Sequence, residues 1–278
     1  VCIIGRTSPG SGRRRDARAG GWRTVGDAGR PRTRVADGPE TDDPETDDAE
    51  NGSPLTIRLV SLTGQDARAW LEPALEIYVT AMNYPRGTEI HRAGLWREHI
   101  ARPGWRAVGA VETVSPYEAR TMPAARRRVG PPIGVGPDDL LVGIAYGYTG
   151  ATGQWWNQQL RLGLRQTGRP PETIEAIARD YFELTELHVH PTAQGRGIGQ
   201  WLLGRLLADR PERHVLLSTP EIPAEDNRAW SLYRRMGFTD VLRHFTFTGD
   251  PRPFAFLGRP LPLELQPPTT ARRAEAGS

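Results

Sequence analysis

From residue 55 onward, apolar positions recur with two periods, and the switches between them predict the elements. "LTIRLVSL" (55–62) reads as a short strand. "DARAWLEPALEIYVTAMNY" (66–84) places Trp70, Leu71, Leu75, Tyr78, Val79 and Met82 on one helical stripe, with Asp66 suited to cap its start. "TEIHRAGLWREHIAR" (88–102) predicts a second helix that turns Ile90, Leu95 and Ile100 inward. "WRAVGAVETV" (105–114) and "LLVGIAYGYTG" (140–150) are expected strands, separated by a breaker-rich loop at 115–139. Residues 151–180 read as helix, a Pro-Pro break and helix again, more than a minimal α/β domain needs. The order then becomes regular: strand 181–191, a glycine-rich turn, a helix to Asp209, strand 214–220, helix 227–237, and closing strands at 238–249 and 253–263.

The ends lack this patterning. Up to Ala36 there are nine Arg against two Asp, and Asp37 to Glu50 then carries eight acids and no base. Self-repelling blocks without apolar residues predict a disordered extension over 1–53, and a flexible Pro- and Thr-rich tail is expected over 266–278. Residues 54–265 are left as the folded domain. An Arg-rich arm admits a nucleic-acid reading, but all 36 basic residues are Arg and the net charge is only +3. That is a composition bias rather than a binding footprint, so no nucleic-acid partner is expected. The single cysteine, Cys2, excludes an internal disulfide and Cys-rich zinc sites. With no run of 18 apolar residues and no charged leader before "VCII", a cytoplasmic protein without a membrane partner is expected.

"HPTAQGRGIGQWLLGRLL" (190–207) puts three glycines in five positions at the mouth of a helix. A P-loop is excluded because the chain has no Lys, and the dinucleotide fingerprint fails because Gln200 holds its third glycine position. Gln194, Gly197 and Gly199 instead satisfy Q-x-x-G-x-G after a strand. The first turn of a helix leaves about four N–H groups unpaired, and the helix dipole favours an anion there. Glycines let a diphosphate approach those N–H groups, and Arg196 is placed to add charge to the same anion.

Residues 181–238 resemble the acyl-CoA-binding half of the GNAT acetyltransferases: a strand like "TELHVHP", then Q-x-x-G-x-G and a helix, then L-Y-x-x-x-G-F as in "AWSLYRRMGF". The resemblance implies a mixed, mostly antiparallel central sheet flanked by helices, here with a helical insertion. It implies acetyl-CoA as co-substrate. The backbone of Leu187, His188 and Val189 would pair with the pantetheine arm, and Gln194, Gly195, Arg196, Gly197, Ile198 and Gly199 would hold the diphosphate. Tyr233 would protonate the departing thiolate, although its spacing with Ala229, Leu232 and Met236 equally fits a core stripe. Glu183 and Glu186 are the candidate bases; strand alternation sends them to opposite faces unless a bulge intervenes. The family often has Asn seven residues before the Tyr, whereas this chain has Asp226 there, with Asn227 one later; Asp226 also suits an N-cap, so the Asn role is not carried over.

The expected activity is acetyl-CoA-dependent N-acetyl transfer, by direct attack, to a primary amine of a small molecule, peptide or protein. The alternative is a non-catalytic acyl-CoA-binding regulatory or interaction module. His188 and His190 lack a third ligand at a metal-site spacing, so no metal is expected. Trp155 and Trp156 either wall the acceptor site or anchor the insertion. A homodimer is open, since relatives pair through their sheets.

Overall fold

The computed structural model describes residues 57–113 and 139–263, which belong to one compact unit. The expected ends at 1–53 and 266–278, and the loop at 115–138, lie outside the described residues. Seven strands form one sheet in the order β1-β2-β3-β4-β5-β7-β6. They are β1 (Ile57–Leu62), β2 (Arg106–Thr113), β3 (Asp139–Thr149), β4 (Tyr181–Val189), β5 (His214–Pro220), β6 (Thr239–Thr246) and β7 (Pro253–Pro260). All neighbours are antiparallel except β4 and β5. The fold is therefore the expected mixed, mostly antiparallel sheet. β3 is buried along nearly its whole length because both of its faces are covered, which explains its nearly unbroken apolar run.

The helices are α1 (Gly64–Ala69), α2 (Leu71–Ala81), α3 (Thr88–Ile100), α4 (Trp155–Gln166), α5 (Pro171–Ala178), α6 (Ile198–Leu207) and α7 (Arg228–Arg235). One face of the sheet packs on α6 and α7: Phe182, Leu184, Val215 and Leu217 meet Leu202, Leu206, Trp230 and Leu232. On the other face α2 and α3 cover β1 to β3. The inserted α4 and α5 cover β5, β7 and β6 on that same face. Trp156 anchors the insertion: its Nε1 donates to Ser218 Oγ at 3.0 Å and its ring packs on Tyr181 and Phe256. Central β4 thus runs between two helical groups.

Local chemistry corrects three expectations. The helix expected over 66–84 breaks at Trp70, and its start is capped by Thr63, with Asp66 completing a capping box from inside the first turn. In α7 the cap is Asn227, whose Oδ1 accepts from Trp230 N at 2.9 Å, rather than Asp226. The largest correction concerns α3, where Ile90 is 74% exposed and Arg92, Trp96 and His99 are buried. These three lie at i, i+4 and i+7, so the inward face is half polar and an apolar-only pattern chooses the wrong phase. What Arg92 and His99 meet inside defines the site. No helix among the described residues is long and apolar enough to cross a membrane.

Candidate active site

β4 pairs with β3 through Tyr146↔Glu186 and then Gly147↔Leu184, which leaves Thr185 as an extra residue. This β-bulge breaks the alternation of side chains. Phe182, Leu184, Leu187 and Val189 all pack toward the α6 side. Glu183, Glu186 and His188 share the opposite face, which the bonds below demonstrate. Gly147 makes the bulge possible, since a Cβ there would lie 2.1 Å from Glu183 O.

β4 and β5 pair only over Tyr181↔His214 to Glu183↔Leu216. Beyond Glu183 the strands diverge, and the backbone of β4 on that edge has no β5 partner. Into the gap opens a cleft of about 670 Å³. Leu187, His188 and Val189 form one wall, Gln194 to Gly199 without Arg196 another, and Asn227, Arg228, Leu232 and Arg235 of α7 the third. Gly195 and Gly197 have φ of +82° and +78°, and Gly197 is the N-cap of α6. Gln200 and Trp201 donate to Gly197 O, but the N–H groups of residues 195–199 make no such backbone bond among the described residues. The site is an extended edge beside a helix N-terminus, which suits an amide-bearing chain that ends in a diphosphate. Gln194 Nε2 holds Val189 O at 2.9 Å and so ties the loop to the strand.

Behind the cleft lies a buried polar network. Glu186 Oε1 accepts from Arg92 Nη2 at 2.8 Å, and its Oε2 lies 2.6 Å from His188 Nε2. Burial pushes the Glu186 carboxyl up, but Arg92 and His188 outweigh it and hold the group below the usual carboxylate range. Burial lowers the His188 imidazole despite Glu186, so the ring is a neutral donor to an ionised carboxylate. Glu183 accepts from Tyr148 Oη at 2.8 Å, while its Oε2 is buried without a hydrogen bond among the described residues. Burial pushes the Glu183 carboxyl up to about 8. His99 Nδ1 meets Tyr146 Oη at 3.0 Å, and burial, then Arg102, pushes that imidazole down to about 3.

Between pH 4.5 and 8 the folded chain keeps a Glu183 proton that the unfolded chain has released, so stability falls as pH rises through this window. The gap corresponds to roughly 3–5 kcal/mol. Glu183→Gln is expected to be more stable than wild type at pH 9 by a margin of that order larger than at pH 5. Urea denaturation at the two pH values checks this; equal margins would contradict it.

The profile of the GNAT acetyltransferase domain matches residues 164–240, from α4 through the glycine loop to the start of β6. A GCN5-like protein acetyltransferase of Mycobacterium tuberculosis is 52% identical over 214 residues, covering 75% of this chain and all of that protein. The chain belongs to the GNAT acetyltransferase family. It is accordingly an N-acetyltransferase. Two solved structures are also similar. NAA60 of Arabidopsis thaliana, in complex with a bisubstrate analogue, has 17% identity and a TM-score of 0.45 over 74% of this chain and 100% of that one. The ribosomal-protein-S18-alanine N-acetyltransferase of Escherichia coli has 15% identity and a TM-score of 0.41 over 77% and 98%.

In this GNAT chain the residues singled out by the sequence divide into three sets. The cleft gathers Leu187, His188, Val189, Gln194, Gly195, Gly197, Ile198 and Gly199. Arg196 lies apart from them: its Nη1 is 2.5 Å from Glu112 Oε1 on β2, and it does not line the cleft. The cationic lining comes instead from Arg228 and Arg235, seven residues apart on α7, which motif reading missed. Their i, i+7 spacing on the helix after β5 was the available signal. Tyr233 is 1% exposed in the core beside Phe238, next in sequence to the cleft-lining Leu232. Glu183 and Glu186 stand behind the cleft wall and do not line it. Among the described residues no group of three or more His, Cys, Asp or Glu is placed to hold a metal ion.

Proposed function

We propose that this GNAT enzyme binds acetyl-CoA in the β4–β5 cleft and passes the acetyl group directly to a primary amine of a protein. The observation that carries the reading is the cleft itself, where the unpaired edge of β4 at 187–189 runs into the glycine N-terminus of α6. The edge offers main-chain groups to the pantetheine amides, and one N–H there polarises the thioester carbonyl. Residues 195–199 take the diphosphate, with Arg228 and Arg235 adding charge from α7. The protein acceptor is favoured by the named activity of the mycobacterial relative, a protein acetyltransferase.

Tyr233, carried over from the family resemblance and buried directly behind the cleft-lining Leu232, is the proposed proton donor to the departing thiolate. Its phenol O–H supplies that proton as the C–S bond breaks. Tyr233→Phe is expected to leave acetyl-CoA affinity unchanged and to lower kcat by about 100-fold. Thiol release against a panel of small amines, peptides and proteins, followed by mass spectrometry of the acetylated product, tests the whole reading. Acetylation of lysine side chains or N-termini supports it. Acetyl-CoA uptake with transfer only to non-protein amines would contradict the acceptor class.

A further inference from the structure

Among the described residues that line the cleft, His188 alone carries an imidazole or a carboxylate, on a side chain that is 2% exposed. The other polar lining groups are amides, one hydroxyl and two guanidinium groups. Both carboxylates that the sequence offered as bases stand behind the wall: Glu183 against Tyr148, Glu186 against Arg92 and His188. We infer that His188 is the general base of the reaction, oriented by Glu186 and Arg92 as positioning residues. This assignment rests on the acetyl-transfer reading above.

The geometry fixes which nitrogen acts. His188 Nε2 lies 2.6 Å from Glu186 Oε2, and Glu186 Oε1 is held by Arg92 Nη2 at 2.8 Å. An ionised carboxylate accepts only, so Nε2 carries the proton and Nδ1 keeps its lone pair. Nδ1 has no hydrogen-bond partner among the described residues. The ring is also fixed edge-on to Tyr78 of α2 at 5.1 Å, and Arg92 stacks over that same Tyr78 ring at 5.2 Å. The groups facing His188 are thus Glu186 from β4, Arg92 from α3 and Tyr78 from α2, while its β3 partner is the apolar Ile144. A base whose second nitrogen is pinned by a buried carboxylate keeps one tautomer throughout.

The step balances as follows. The acceptor enters as a free amine, and its nitrogen lone pair forms a bond to the thioester carbonyl carbon. The carbonyl π pair moves onto oxygen. The nitrogen becomes cationic, and its now acidic proton passes to His188 Nδ1, giving an imidazolium paired with Glu186. Collapse of the tetrahedral species reforms C=O and expels the C–S electron pair as thiolate, which takes a proton from Tyr233. Net products are the amide and CoA thiol, and the proton taken by His188 restores Tyr233, directly or by exchange through solvent.

The test uses the full chain, acetyl-CoA and a pool of lysine-containing peptides. His188→Gln is expected to lower kcat/KM by about 100-fold or more. Its acetyl-CoA affinity should stay within about threefold of wild type, because the contacts at 187–189 are main-chain. The wild-type acid limb of kcat/KM against pH should lie below 6.5, vanish in His188→Gln, and move lower still in Glu186→Gln, where the imidazolium loses its carboxylate. Two-bond proton–nitrogen NMR of the wild type should show a neutral His188 at pH 7, protonated on Nε2 and bare on Nδ1. A ring protonated on Nδ1 overturns the assignment whether or not the pool holds an acceptor. Near-wild-type turnover of His188→Gln also overturns it, as does an acid limb near 8, where the Glu183 carboxyl titrates. If the wild type takes up no acetyl-CoA, the acetyl-transfer reading itself falls, an outcome distinct from equal turnover by wild type and His188→Gln.

Discussion

Gly197→Glu is expected to weaken acetyl-CoA binding by at least 100-fold while leaving a folded protein. Gly197 has φ of +78° at the cap of α6, where an L-residue costs about 1–2 kcal/mol. Its Cβ would meet nothing nearer than the Trp201 ring at 3.8 Å, so the new side chain has room and the cost is strain alone. The carboxylate, however, stands where the diphosphate is proposed to sit. Two like charges about 4 Å apart near a protein surface repel by roughly 4 kcal/mol, which exceeds the affinity loss of 100-fold by itself. Gly197→Ala carries the strain without the charge and should lose no more than about tenfold. Calorimetric titration of both variants, with thermal melts alongside, separates the two effects. Equal affinities for Gly197→Glu and Gly197→Ala would contradict a diphosphate at this loop.

The second large effect is structural. Gly147→Ala is expected to destabilise the fold by about 3 kcal/mol or more, and to reduce turnover even in the fraction that remains folded. An added Cβ would stand 2.1 Å from Glu183 O and 2.6 Å from the Phe182 ring. Neither has freedom to withdraw: the carbonyl belongs to the central strand, and Phe182 is fully buried. Overpacking of this kind costs about 1–3 kcal/mol where side chains can shift, and more where backbone must. Because Gly147 faces the β4 bulge, the displaced segment is the one that sets Glu183, Glu186 and His188 on a common face. Gly153→Ala is the matched control, since its Cβ would meet nothing within 4 Å. Urea denaturation and thiol-release assays on the pair check both halves. A Gly147→Ala protein as stable and active as Gly153→Ala would contradict the account of the bulge.

The strands, their order along the chain and the glycine loop were legible because each rests on local rules: period-2 runs, breakers, and bare backbone before a helix. The interior of α3 was not. Arg92 and His99 are buried because Glu186 and Tyr146, distant in sequence, satisfy them, and hydropathy alone assigns such residues to the surface. The bulge at Thr185 depends on the β3–β4 register, which no β4 residue announces. Alternation alone therefore separated Glu183 from Glu186. Arg196 is a case of competition: a cation beside an expected anion site is equally available to Glu112, which β2 brings within reach. The cleft wall on α7 was hidden because Arg228 and Arg235 flank the very stripe that was read for its buried members.

The most direct measurement is a calorimetric titration of the full wild-type chain with acetyl-CoA and, separately, with a pantetheine thioester lacking the diphosphate. The account predicts saturable one-to-one uptake of acetyl-CoA, competed by CoA, and markedly weaker uptake of the truncated thioester. Absence of acetyl-CoA uptake, or equal uptake of both compounds, would contradict it.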